Sequence, residues 1–207
     1  MFDYENKYKE QGLKYIAGMD EAGRGPLAGP VCVAMVIMPL EEDKIIAKVN
    51  DSKKLSEKMR DKLFDEIKEK AISYRIEFVD EQTIDDINIL NATKLGMLQC
   101  INNIEVRPEA VLVDAVKLDT PVLCEPIIKG DSLSYSIACA SILAKVSRDR
   151  LMLELDEKYP EYNFKKHKGY GTKEHIEALK KYGKCEIHRD SFIKNFASEI
   201  PNANQDI

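Results

Sequence analysis

Two apolar segments near the N-terminus are joined by a loop that is short enough for an antiparallel pair. KYIAGMD (14–20) and PVCVAMVIM (30–38) have the composition of buried strands, and the second is rich in β-branched residues. Parallel neighbours need a connection of about a dozen residues or more, whereas antiparallel neighbours need only a tight loop. The nine residues at 21–29 therefore predict that the fold begins with an antiparallel pair.

The rest of the chain alternates between strand and helix patterns. Further strands are predicted at 71–80, 109–116 and 120–128, and helices at 55–70, 83–104, 132–159 and 172–183. Ser56 is expected to cap the first helix and Gly183 to end the last. The strand at 71–80 alternates so that its large residues from Ile72 to Phe78 should share one buried face. This order predicts an α/β fold with a mixed sheet and helices packed on it.

Composition excludes several classes of protein. The longest apolar run, VCVAMVIM at 31–38, is far shorter than the roughly 20 residues that span a bilayer, and the N-terminal stretch MFDYENKYKEQG has no signal-peptide core. The five cysteines are scattered without a Cys-x-x-Cys pair, so neither a zinc site nor a disulfide framework is predicted. We therefore expect a cytoplasmic protein with reduced thiols and no membrane contact.

Charge is distributed unevenly along the chain. The net charge is −5, but the segment 158–194 carries ten Lys and Arg against five Asp and Glu, which leaves the remainder near −10. A basic C-terminal segment on an acidic body fits a local contact with nucleic acid. The same charges also fit a solvated helix face, and charge alone does not decide between the two.

Four carboxylates stand where predicted strands end. They are Asp20 and Glu21 after the first strand, Asp114 at the end of VLVD, and Asp131 in KGDS before the long helix. Strand ends are where ligands gather in α/β sheets, and neighbouring strands would bring Asp20 and Asp114 together. Like charges in contact resist ionising together unless a cation lies between them, and hard oxygen ligands of this kind suit Mg²⁺ or Mn²⁺. Two such ions, held about 3.5–4 Å apart by shared carboxylates, are a common apparatus for hydrolysing a phosphodiester.

Each carboxylate also has a purely structural interpretation. Asp131 precedes a helix and can act as its N-cap, and Asp114 can open an Asx turn at the end of its strand. Glu21 can point away from Asp20, because adjacent strand residues face opposite sides. If both residues serve an ion, the chain must bend there or one residue must contribute its backbone carbonyl.

Two glycine-rich loops accompany the carboxylates. GRGPLAG (23–29) has neither the dinucleotide fingerprint nor the P-loop spacing, and its bare peptide groups suit close contact with something small, such as a hydroxyl. KKHKGYGTKEH (165–175) combines basic side chains with Tyr170, which fits phosphate contact and stacking on a nucleotide. Both loops also fit ordinary tight turns. Lys53 in DSKKL is either a phosphate contact or a surface charge, and His188 in IHRDSF fits a structural or substrate-orienting role better than that of a general base.

Taken together, these motifs resemble the ribonuclease HII family, in its bacterial branch. The matching stretches follow the family's order along residues 14–192, and they are MDEAGRGPLAGPV (19–31), DSKKLS (51–56), NILNAT (88–93), VLVDAV (111–116), KGDS (129–132), ASILAKVSRD (140–149), HKGYGT (167–172) and HRDSF (188–192). The combination of DEAGRGP with KGDS and ASILAKVSRD is highly specific. The sister ribonuclease HIII family carries a different glycine loop.

The resemblance implies a ribonuclease H-like fold, with a five-stranded mixed sheet whose first three strands are antiparallel, flanked by helices. A catalytic core would occupy 1–157, and 158–207 would form a helical substrate-binding extension with a loose tail in the same structural unit. The implied activity is endonucleolytic cleavage of RNA in RNA–DNA hybrids, and at single ribonucleotides embedded in duplex DNA, with two Mg²⁺ or Mn²⁺ ions. Products would carry a 3′-hydroxyl and a 5′-phosphate, and the role would be removal of ribonucleotides from DNA.

The resemblance also assigns roles to residues at matching positions. The metal-binding catalytic carboxylates would be Asp20, Glu21, Asp114 and Asp131. The ribose 2′-hydroxyl would be read by the backbone of Gly23, Arg24 and Gly25. Tyr170 would pack on the neighbouring sugar and check the same hydroxyl. Candidates for phosphate contact or support of the site are Lys53, Lys145, Arg148 and Lys168.

Two other functions are weighed against this one. A metal-dependent DNA nuclease on the same fold would have no use for the glycine loop and Tyr170, and a hybrid-binding module would need no set of four carboxylates. The tail, SEIPNANQDI, has no evident glutamine-led hydrophobic–aromatic motif, so contact with a sliding clamp is not predicted. We expect a monomer whose partner is the nucleic acid itself.

Overall fold

The computed structural model describes residues 1–47, 49 and 55–200. Within these ranges the strands are β1 (Ile16–Ala22), β2 (Val31–Ile37), β3 (Ser73–Val79), β4 (Ala110–Asp114) and β5 (Leu123–Ile127). They form one sheet in the order β3-β2-β1-β4-β5, in which β1–β2 and β2–β3 are antiparallel and β1–β4 and β4–β5 are parallel. The predicted five-stranded mixed sheet, with its first three strands antiparallel, is confirmed.

The helices of the described ranges flank this sheet. They are α1 (Asp3–Lys9), α2 (Glu57–Lys70), α3 (Glu81–Ile87), α4 (Ile89–Asn103), α5 (Gly130–Leu133), α6 (Tyr135–Lys158), α7 (Phe164–His167), α8 (Lys173–Tyr182) and α9 (Asp190–Ile193). Short 3-10 turns lie at Glu42–Lys44, Pro160–Tyr162 and Lys194–Glu199. The predicted helix ends are confirmed, since Ser56 Oγ accepts from Met59 N at 3.3 Å and Gly183 follows α8 with a φ of 81°.

Three differences from the predicted helices have local causes. The helix expected at 83–104 breaks at Asn88, whose φ of 66° is left-handed and whose side chain accepts from Asn91 N to start α4. With a ψ of 162° this backbone is far from helical, so the helix cannot continue through Asn88. The helix expected from 132 is divided into α5 and α6, because Ser134 caps α6 by accepting from Ile137 N. In the N-terminal stretch, α1 forms where no element was predicted.

The sheet is buried between α6 and α2 on one face and α4 on the other. All seven residues of β2 are buried, and they alternate between the core under α6 and the core under α4. The prediction for the alternating face of β3 is wrong at its ends, because Ile72 is 44% exposed and Phe78 is 42% exposed. β3 is an edge strand, and only Tyr74 and Ile76 from its middle reach the core under α6.

α6 begins directly over β1 because both elements have small residues where they cross, Gly18 on β1 and Ser136 on α6. A Cβ on Gly18 would lie 2.0 Å from the carbonyl carbon of Ser136, so no other residue fits there unless the helix moves. The small residues Ser136, Ala138, Cys139 and Ala140 in the first turns of α6 are buried. This contact fixes the following turns of α6, with Ser141, Lys145 and Arg148, above the carboxyl end of β1.

The C-terminal segment packs on the end of α6 and on the loop after β1. Tyr162 and Phe164 of this segment are buried in one cluster with Met152, which lies on α6, and with Ala28. Ala28 also forms a β-bridge with His188, so the segment after α8 returns to the first glycine loop. The N-terminal core and the C-terminal segment therefore share contacts on both sides of the boundary expected at 157.

Other expectations concern features outside the sheet. The five cysteines are all free thiols in the described structure. None of the helices in the described ranges has the length and apolar character that crossing a bilayer requires. Lys53 and the rest of the segment 51–54 lie outside the described residues.

Candidate active site

The carboxyl ends of β1 and β4 meet at one edge of the sheet. Met19 is paired with Val113 in the parallel register, so the next residues, Asp20 and Asp114, lie side by side. Asp20 is 5% exposed, and Asp114 is partly buried. The hypothesis that these two strands are neighbours is confirmed, and it brings together carboxylates that lie far apart in the sequence.

A cleft of about 470 Å³ opens at this edge, between the first glycine loop, α6 and the loop before α8. Its walls are formed by Asp20, Glu21, Ala22, Gly23, Arg24, Gly25, Arg60, Asp114, Ser141, Ile142, Lys145, Arg148 and Tyr170. Most of the residues singled out from the sequence therefore share one cavity. The exceptions are Asp131 and Lys168, which lie nearby, and Lys53, which is outside the described residues.

Adjacent Asp20 and Glu21 both reach the cleft although the strand does not bend. Pairing with β2 continues through Ala22, which lies opposite Cys32, so the bend considered from the sequence does not occur. Asp20 hydrogen-bonds with the side chain of Ser141 on α6, and its Oδ1 accepts from Glu21 N at 2.7 Å. Because the cleft lies across the end of the strand, residues of both strand faces can border it.

Glu21 is nearly buried and only half satisfied. Its Oε1 pairs with Arg24 Nη1 at 3.2 Å, and its side chain is 11% exposed. Its Oε2 is buried and has no hydrogen-bond partner among the described residues. A buried carboxylate oxygen without a partner is costly, which makes this atom a candidate ligand for a cation.

The clustered carboxylates resist ionisation. Burial raises the pKa of Asp20 well above its usual range, and the charges of Glu21 and Asp114 add to this effect against the hydrogen bond from Ser141. Burial also raises the pKa of Glu21, an effect that Arg24 opposes and the charge of Asp114 supports. Such a cluster binds a proton or a cation more strongly than separated carboxylates do.

Asp131 lies near Asp114 because β5 pairs with β4 and α5 follows directly after β5. Ala115 has a φ of 53°, and Val116 N donates to Asp114 O at 2.7 Å, so the chain turns as soon as the strand ends. Asp114 Oδ1 accepts from Gly130 N at 2.7 Å, which ties α5 to the end of β4. Asp131, the next residue, is 9% exposed. It is not the N-cap that the alternative interpretation requires, since it lies inside α5 and α6 has its own cap.

The acidic side chains of the cleft fit a hard divalent cation. The candidate donors are carboxylate oxygens, and one of them, Glu21 Oε2, is buried without a partner in the described structure. Over the described ranges, no three His, Cys, Asp or Glu side chains are already gathered closely enough to hold an ion. A cation bound between Asp20, Glu21 and Asp114 would relieve the repulsion between their charges.

The first glycine loop presents bare backbone to the cleft. A Cβ on Gly23 would lie 2.0 Å from Arg148 Nε, and the φ of 93° at Gly23 also favours glycine. Gly25 is more open, since a Cβ there would lie 3.7 Å from Tyr170 Cε1. Glycine at position 23 is therefore required by packing against Arg148 and by its backbone angle, whereas Gly25 borders the cleft beside Tyr170 without such a requirement.

Arg148 holds the two glycine-rich loops together. It is 2% exposed, and its Nε, Nη1 and Nη2 donate to the carbonyls of Pro30, Lys168 and Ala28 at 2.9, 2.9 and 3.0 Å. Burial lowers the pKa of this guanidinium. Because these donors are committed to the backbone, the supporting role considered for Arg148 fits better than contact with a phosphate.

Arg189 is the main residue of this region that the sequence analysis missed. It is fully buried, and its guanidinium donates to the carbonyls of Gly23, Arg24 and Gly29. Its one signal in the sequence is its place in the HRDSF motif. A contact between segments so distant along the chain leaves no local pattern.

Tyr170 lies at the mouth of the cleft, and the three histidines of the chain lie behind it. Tyr170 is 45% exposed and borders the cleft. His175 Nδ1 lies 3.0 Å from Tyr170 O, and His175 Nε2 lies 3.0 Å from His188 Nε2. His167 stacks on His175 with ring centroids 4.6 Å apart. All three imidazoles are buried outside the cleft walls, and this position favours a structural role of His188 over that of a general base.

The predicted lysines differ in their surroundings. Lys145 borders the cleft, and its Nζ lies 2.6 Å from Asp149 Oδ1. Lys168 directs its Nζ to the carbonyl of Lys165 and does not border the cleft. Lys145 is therefore the lysine best situated for contact with a phosphate.

Much of the positive charge at 158–194 is paired with nearby acids. The pairs are Lys158–Glu186, Lys165–Asp156, Lys166–Glu174, Lys173–Glu177 and Lys184–Asp190. The lysines are exposed, and exposed pairs of this kind are weak. In the free protein these lysines therefore lie on a solvated surface, as one of the two interpretations of the charge pattern expects. Because the pairs are weak, a polyanion can replace the acidic partners of the lysines.

Comparison with known proteins identifies relatives along nearly the whole chain. The sequence profile of ribonuclease HII matches residues 17–195. The ribonuclease HII of Ruminiclostridium cellulolyticum is 58% identical over 197 residues, which cover 95% of this chain and 76% of that protein. The ribonuclease HII of Caldicellulosiruptor bescii is 57% identical over 198 residues, which cover 95% of both proteins.

Solved structures share the fold. The ribonuclease H2 of Pyrococcus horikoshii has a TM-score of 0.77 at 26% identity, over 90% of this chain and 97% of that one. The ribonuclease HII of Archaeoglobus fulgidus, solved in complex with PCNA, has a TM-score of 0.75 at 26% identity, over 93% and 100% of the chains. Bst-RNase HIII in complex with Mn²⁺ shares the fold at 19% identity, with a TM-score of 0.63 over 82% of this chain and 63% of that one.

The profile match and the identities confirm the resemblance that the motifs indicated, and the solved structures confirm the ribonuclease H-like fold. The relatives are more than half identical to the chain, and the matched region contains the carboxylates and both glycine-rich loops. The chain therefore belongs to the ribonuclease HII family of metal-dependent ribonuclease H enzymes.

Proposed function

We propose that this chain is an endonuclease that cleaves RNA in RNA–DNA hybrids, and duplex DNA at single embedded ribonucleotides, by phosphodiester hydrolysis. Its products would carry a 3′-hydroxyl and a 5′-phosphate, and its role would be removal of ribonucleotides from DNA. The observation that carries the proposal is one cleft that combines buried carboxylates with a loop of bare peptide groups beside Tyr170. The carboxylates suit hydrolysis, and the loop suits recognition of a ribose.

Four carboxylates are proposed to hold two Mg²⁺ or Mn²⁺ ions: Asp20, Glu21, Asp114 and Asp131. When bound, such ions activate a water and neutralise developing charge on the phosphate. The raised pKa values of Asp20 and Glu21 favour a bound cation, and Glu21 Oε2 is a ligand atom without another partner in the described residues. Gly130 N, bonded to the Asp114 carboxylate, keeps Asp131 beside this group.

Selectivity for ribose is proposed to come from the peptide groups of Gly23, Arg24 and Gly25, together with Tyr170. The 2′-hydroxyl is the group that separates RNA from DNA at a given position. A site whose polar groups are arranged for a hydroxyl rejects deoxyribose, because those groups would lose their partner. Tyr170 is exposed enough to pack on a sugar, and it lies against Gly25.

The region after the boundary at 157 is proposed to bind the duplex as part of the same structural unit. α6 runs through this boundary to Lys158, and Arg148 before it donates to Lys168 O beyond it. Phosphate contact is proposed for Lys145, whose side chain borders the cleft. Support of the loops is proposed for Arg148.

The proposal predicts metal-dependent cutting at a lone ribonucleotide. A labelled DNA duplex with one ribonucleotide should be cut with Mg²⁺ or Mn²⁺ and not with chelator, and an all-DNA duplex should stay intact. Asp131→Asn should lower kcat by about a hundredfold or more, with duplex affinity changed less than about threefold, because the lost charge acts mainly in the transition state. Denaturing gels measure the cleavage, and fluorescence anisotropy measures the binding.

Asp119→Asn is the matched control, because Asp119 is an exposed aspartate outside the cleft walls. It should retain full activity. Equal cutting of the all-DNA duplex would refute the selectivity for ribose, and full activity of Asp131→Asn would refute its assignment to the ion site.

A further inference from the structure

The carbonyl groups of the first glycine loop are directed into a buried guanidinium. Arg189 is fully buried, and its Nη2 donates to Gly23 O at 2.7 Å and to Gly29 O at 2.6 Å. Its Nη1 donates to Arg24 O at 3.1 Å, and its Nε donates to Gly29 O at 2.8 Å. Gly23 and Arg24 border the cleft, whereas Arg189 does not, so the guanidinium lies behind the loop.

This arrangement fixes the direction of two N–H groups. In a trans peptide the C=O and the following N–H point in opposite directions, and the described ranges contain no cis peptide bond. Because the carbonyls of Gly23 and Arg24 turn to Arg189, the N–H groups of Arg24 and Gly25 point away from it. Neither N–H donates to another backbone group of the described residues. Two successive donors of this kind form a concavity suited to an oxygen ligand.

The backbone of Arg189 is itself held from two sides. Arg189 N donates to Leu27 O at 2.9 Å. The next two residues, Asp190 and Ser191, donate their N–H groups to the Asp85 carboxylate at 2.7 and 2.9 Å. Leu27 belongs to the glycine loop itself, whereas Asp85 lies on α3, so the bonds to Asp85 anchor the backbone next to Arg189 from outside the loop.

A guanidinium suits this position better than any other side chain. Its planar fork carries five donors, which is enough to serve three carbonyls at once. A buried cation is costly, and in the described structure the hydrogen-bond partners of Arg189 are carbonyls and not carboxylates. The hydrogen bonds of the cation therefore go to the backbone of the glycine loop.

We propose that Arg189 is a positioning residue for selectivity, which directs Arg24 N–H and Gly25 N–H towards the 2′-hydroxyl of the substrate. The inference rests on the proposed function and deepens it, since it names a residue that sets recognition without touching the nucleic acid. Without the guanidinium, the two peptide groups can rotate, and their donors lose their fixed direction. Selectivity for ribose should then fall while general affinity for duplex is kept.

The test compares the binding of two duplexes to proteins that do not cut them. In an Asp131→Asn background with Mg²⁺, fluorescence anisotropy gives Kd for a DNA duplex with one ribonucleotide and for the same duplex without it. Arg189→Met keeps the side-chain length and removes the donors, so it should lower the ratio of the two affinities about tenfold and leave the all-DNA Kd within about twofold. Arg189→Lys should recover part of the ratio, because an ammonium donates to carbonyls but not as a planar fork.

Two controls separate positioning from loss of stability. Arg75→Met removes an exposed arginine of β3, and Ile67→Ala loosens the core between α2 and α6. Both should keep the ratio of the background protein. An unchanged ratio in folded Arg189→Met, or an equal loss of affinity for both duplexes, overturns the inference.

Circular dichroism reports whether Arg189→Met folds. If it does not, Arg189→Lys decides, since an unchanged ratio there overturns the inference and a reduced ratio supports it. A background protein without any preference for the ribonucleotide would instead refute the proposed function, so the two failures are distinguishable.

Discussion

Asp20 is buried beside Glu21 and Asp114, so its ionised form is less stable in the folded chain than in the unfolded chain. Because its folded pKa lies above the unfolded value, the contribution of Asp20 to the free energy of unfolding falls as pH rises above about 4. At neutral pH this position therefore destabilises the fold. Enzymes commonly keep such destabilising groups at functional sites, and a bound divalent cation would relieve the repulsion.

Asp20→Asn should stabilise the ion-free protein at neutral pH. Removal of one buried charge is expected to raise Tm by about 2–4 °C, the shift that about 1 kcal/mol produces in a chain of this size. Mg²⁺ should raise Tm of the wild type and have a smaller effect on the variant, because the ion binds the folded carboxylates. Differential scanning calorimetry in chelator and in Mg²⁺ measures both effects. Exposed Asp119→Asn should change neither, and a lower Tm of Asp20→Asn in chelator would contradict the repulsion argument.

Single residues of the site differ in how visible they are in the sequence. Asp20 and Glu21 could be singled out because they interrupt an apolar strand, and Gly23 because it opens a loop almost without side chains. Arg189 could not, because its role depends on carbonyls such as that of Gly29, 160 positions away. The unpaired state of Glu21 Oε2 within the described structure depends on packing that no local pattern reports.

Among the elements, α6 determines where the cleft forms. It crosses β1 at Gly18, where backbone meets backbone, and this contact sets the height of the helix over the sheet. Ser141 and Lys145 then project one turn apart over the end of β1, next to Asp20. A change at the crossing should therefore affect the active site although it lies outside it.

Gly18→Ala should lower stability and activity together. The new Cβ would meet the Ser136 carbonyl carbon at 2.0 Å, so α6 or β1 must move. Overpacking typically costs about 1–3 kcal/mol, and a clash with backbone belongs at the upper end, so Tm should fall by about 5 °C or more. Cleavage of the single-ribonucleotide duplex, measured well below Tm, should fall about tenfold or more, because misplacement by about 1 Å impairs catalysis.

Gly12→Ala is the control for the crossing. Gly12 also has no side chain, but a Cβ there would meet nothing within 4 Å, so it adds only the strain of its left-handed φ of 88°. It should reduce stability less than Gly18→Ala and leave cleavage intact. Equal activity of folded Gly18→Ala and wild type would show that the crossing does not set the geometry of the cleft.

The strands were easier to predict than the ends and faces of the elements. The loop at 21–29 is short enough for an antiparallel connection, and the first pair of strands is antiparallel. The break at Asn88 was missed because helical periodicity continues on both sides of it. The break depends on the positive φ of this one residue, which the periodicity does not report. The exposure of Phe78 was missed because alternation within a strand does not report that the strand lies at the edge of the sheet.

On the scale of the whole molecule, buried histidines hold the C-terminal segment together behind the second glycine-rich loop. His167, His175 and His188 come from α7, α8 and the stretch before α9, and they stack or hydrogen-bond with one another. His175 also bonds with the carbonyl of Tyr170, and Arg189 follows His188 directly. The C-terminal segment therefore contributes to the geometry of the cleft from behind both glycine-rich loops.

These histidines make the fold sensitive to acid. Burial lowers the pKa of His175 to about 4, and burial beside His175 lowers the pKa of His188 to about 3. Burial lowers the pKa of His167 as well. Because the unfolded value is about 6.5, the unfolded chain binds more protons than the folded chain at mildly acidic pH. The stability that depends on neutral histidines is complete above about pH 6.5 and is lost as pH falls towards these folded values.

His175→Gln should reduce this sensitivity. Between about pH 7 and pH 5, one histidine that stays neutral in the folded state lowers stability by about 2 kcal/mol, or about 4–8 °C in Tm. The variant should be less stable than the wild type at neutral pH but lose about that much less on acidification. Asp20 and Glu21 change stability in the opposite sense, but both proteins contain them, so the difference isolates the histidine. Calorimetry at the two pH values measures it.

The shape of the acid transition tests whether the C-terminal segment is part of one structural unit. Because Arg148 and the bridge between Ala28 and His188 join this segment to the core loops, protonation of the histidines should unfold both together, in one calorimetric peak with equal calorimetric and van't Hoff enthalpies. Leu179→Ala is the control, since it removes a buried neighbour that does not titrate and should lower Tm equally at both pH values. Two resolved peaks, or an acid sensitivity of His175→Gln equal to that of the wild type, would show that the residues after 158 unfold separately or that other groups respond to acid.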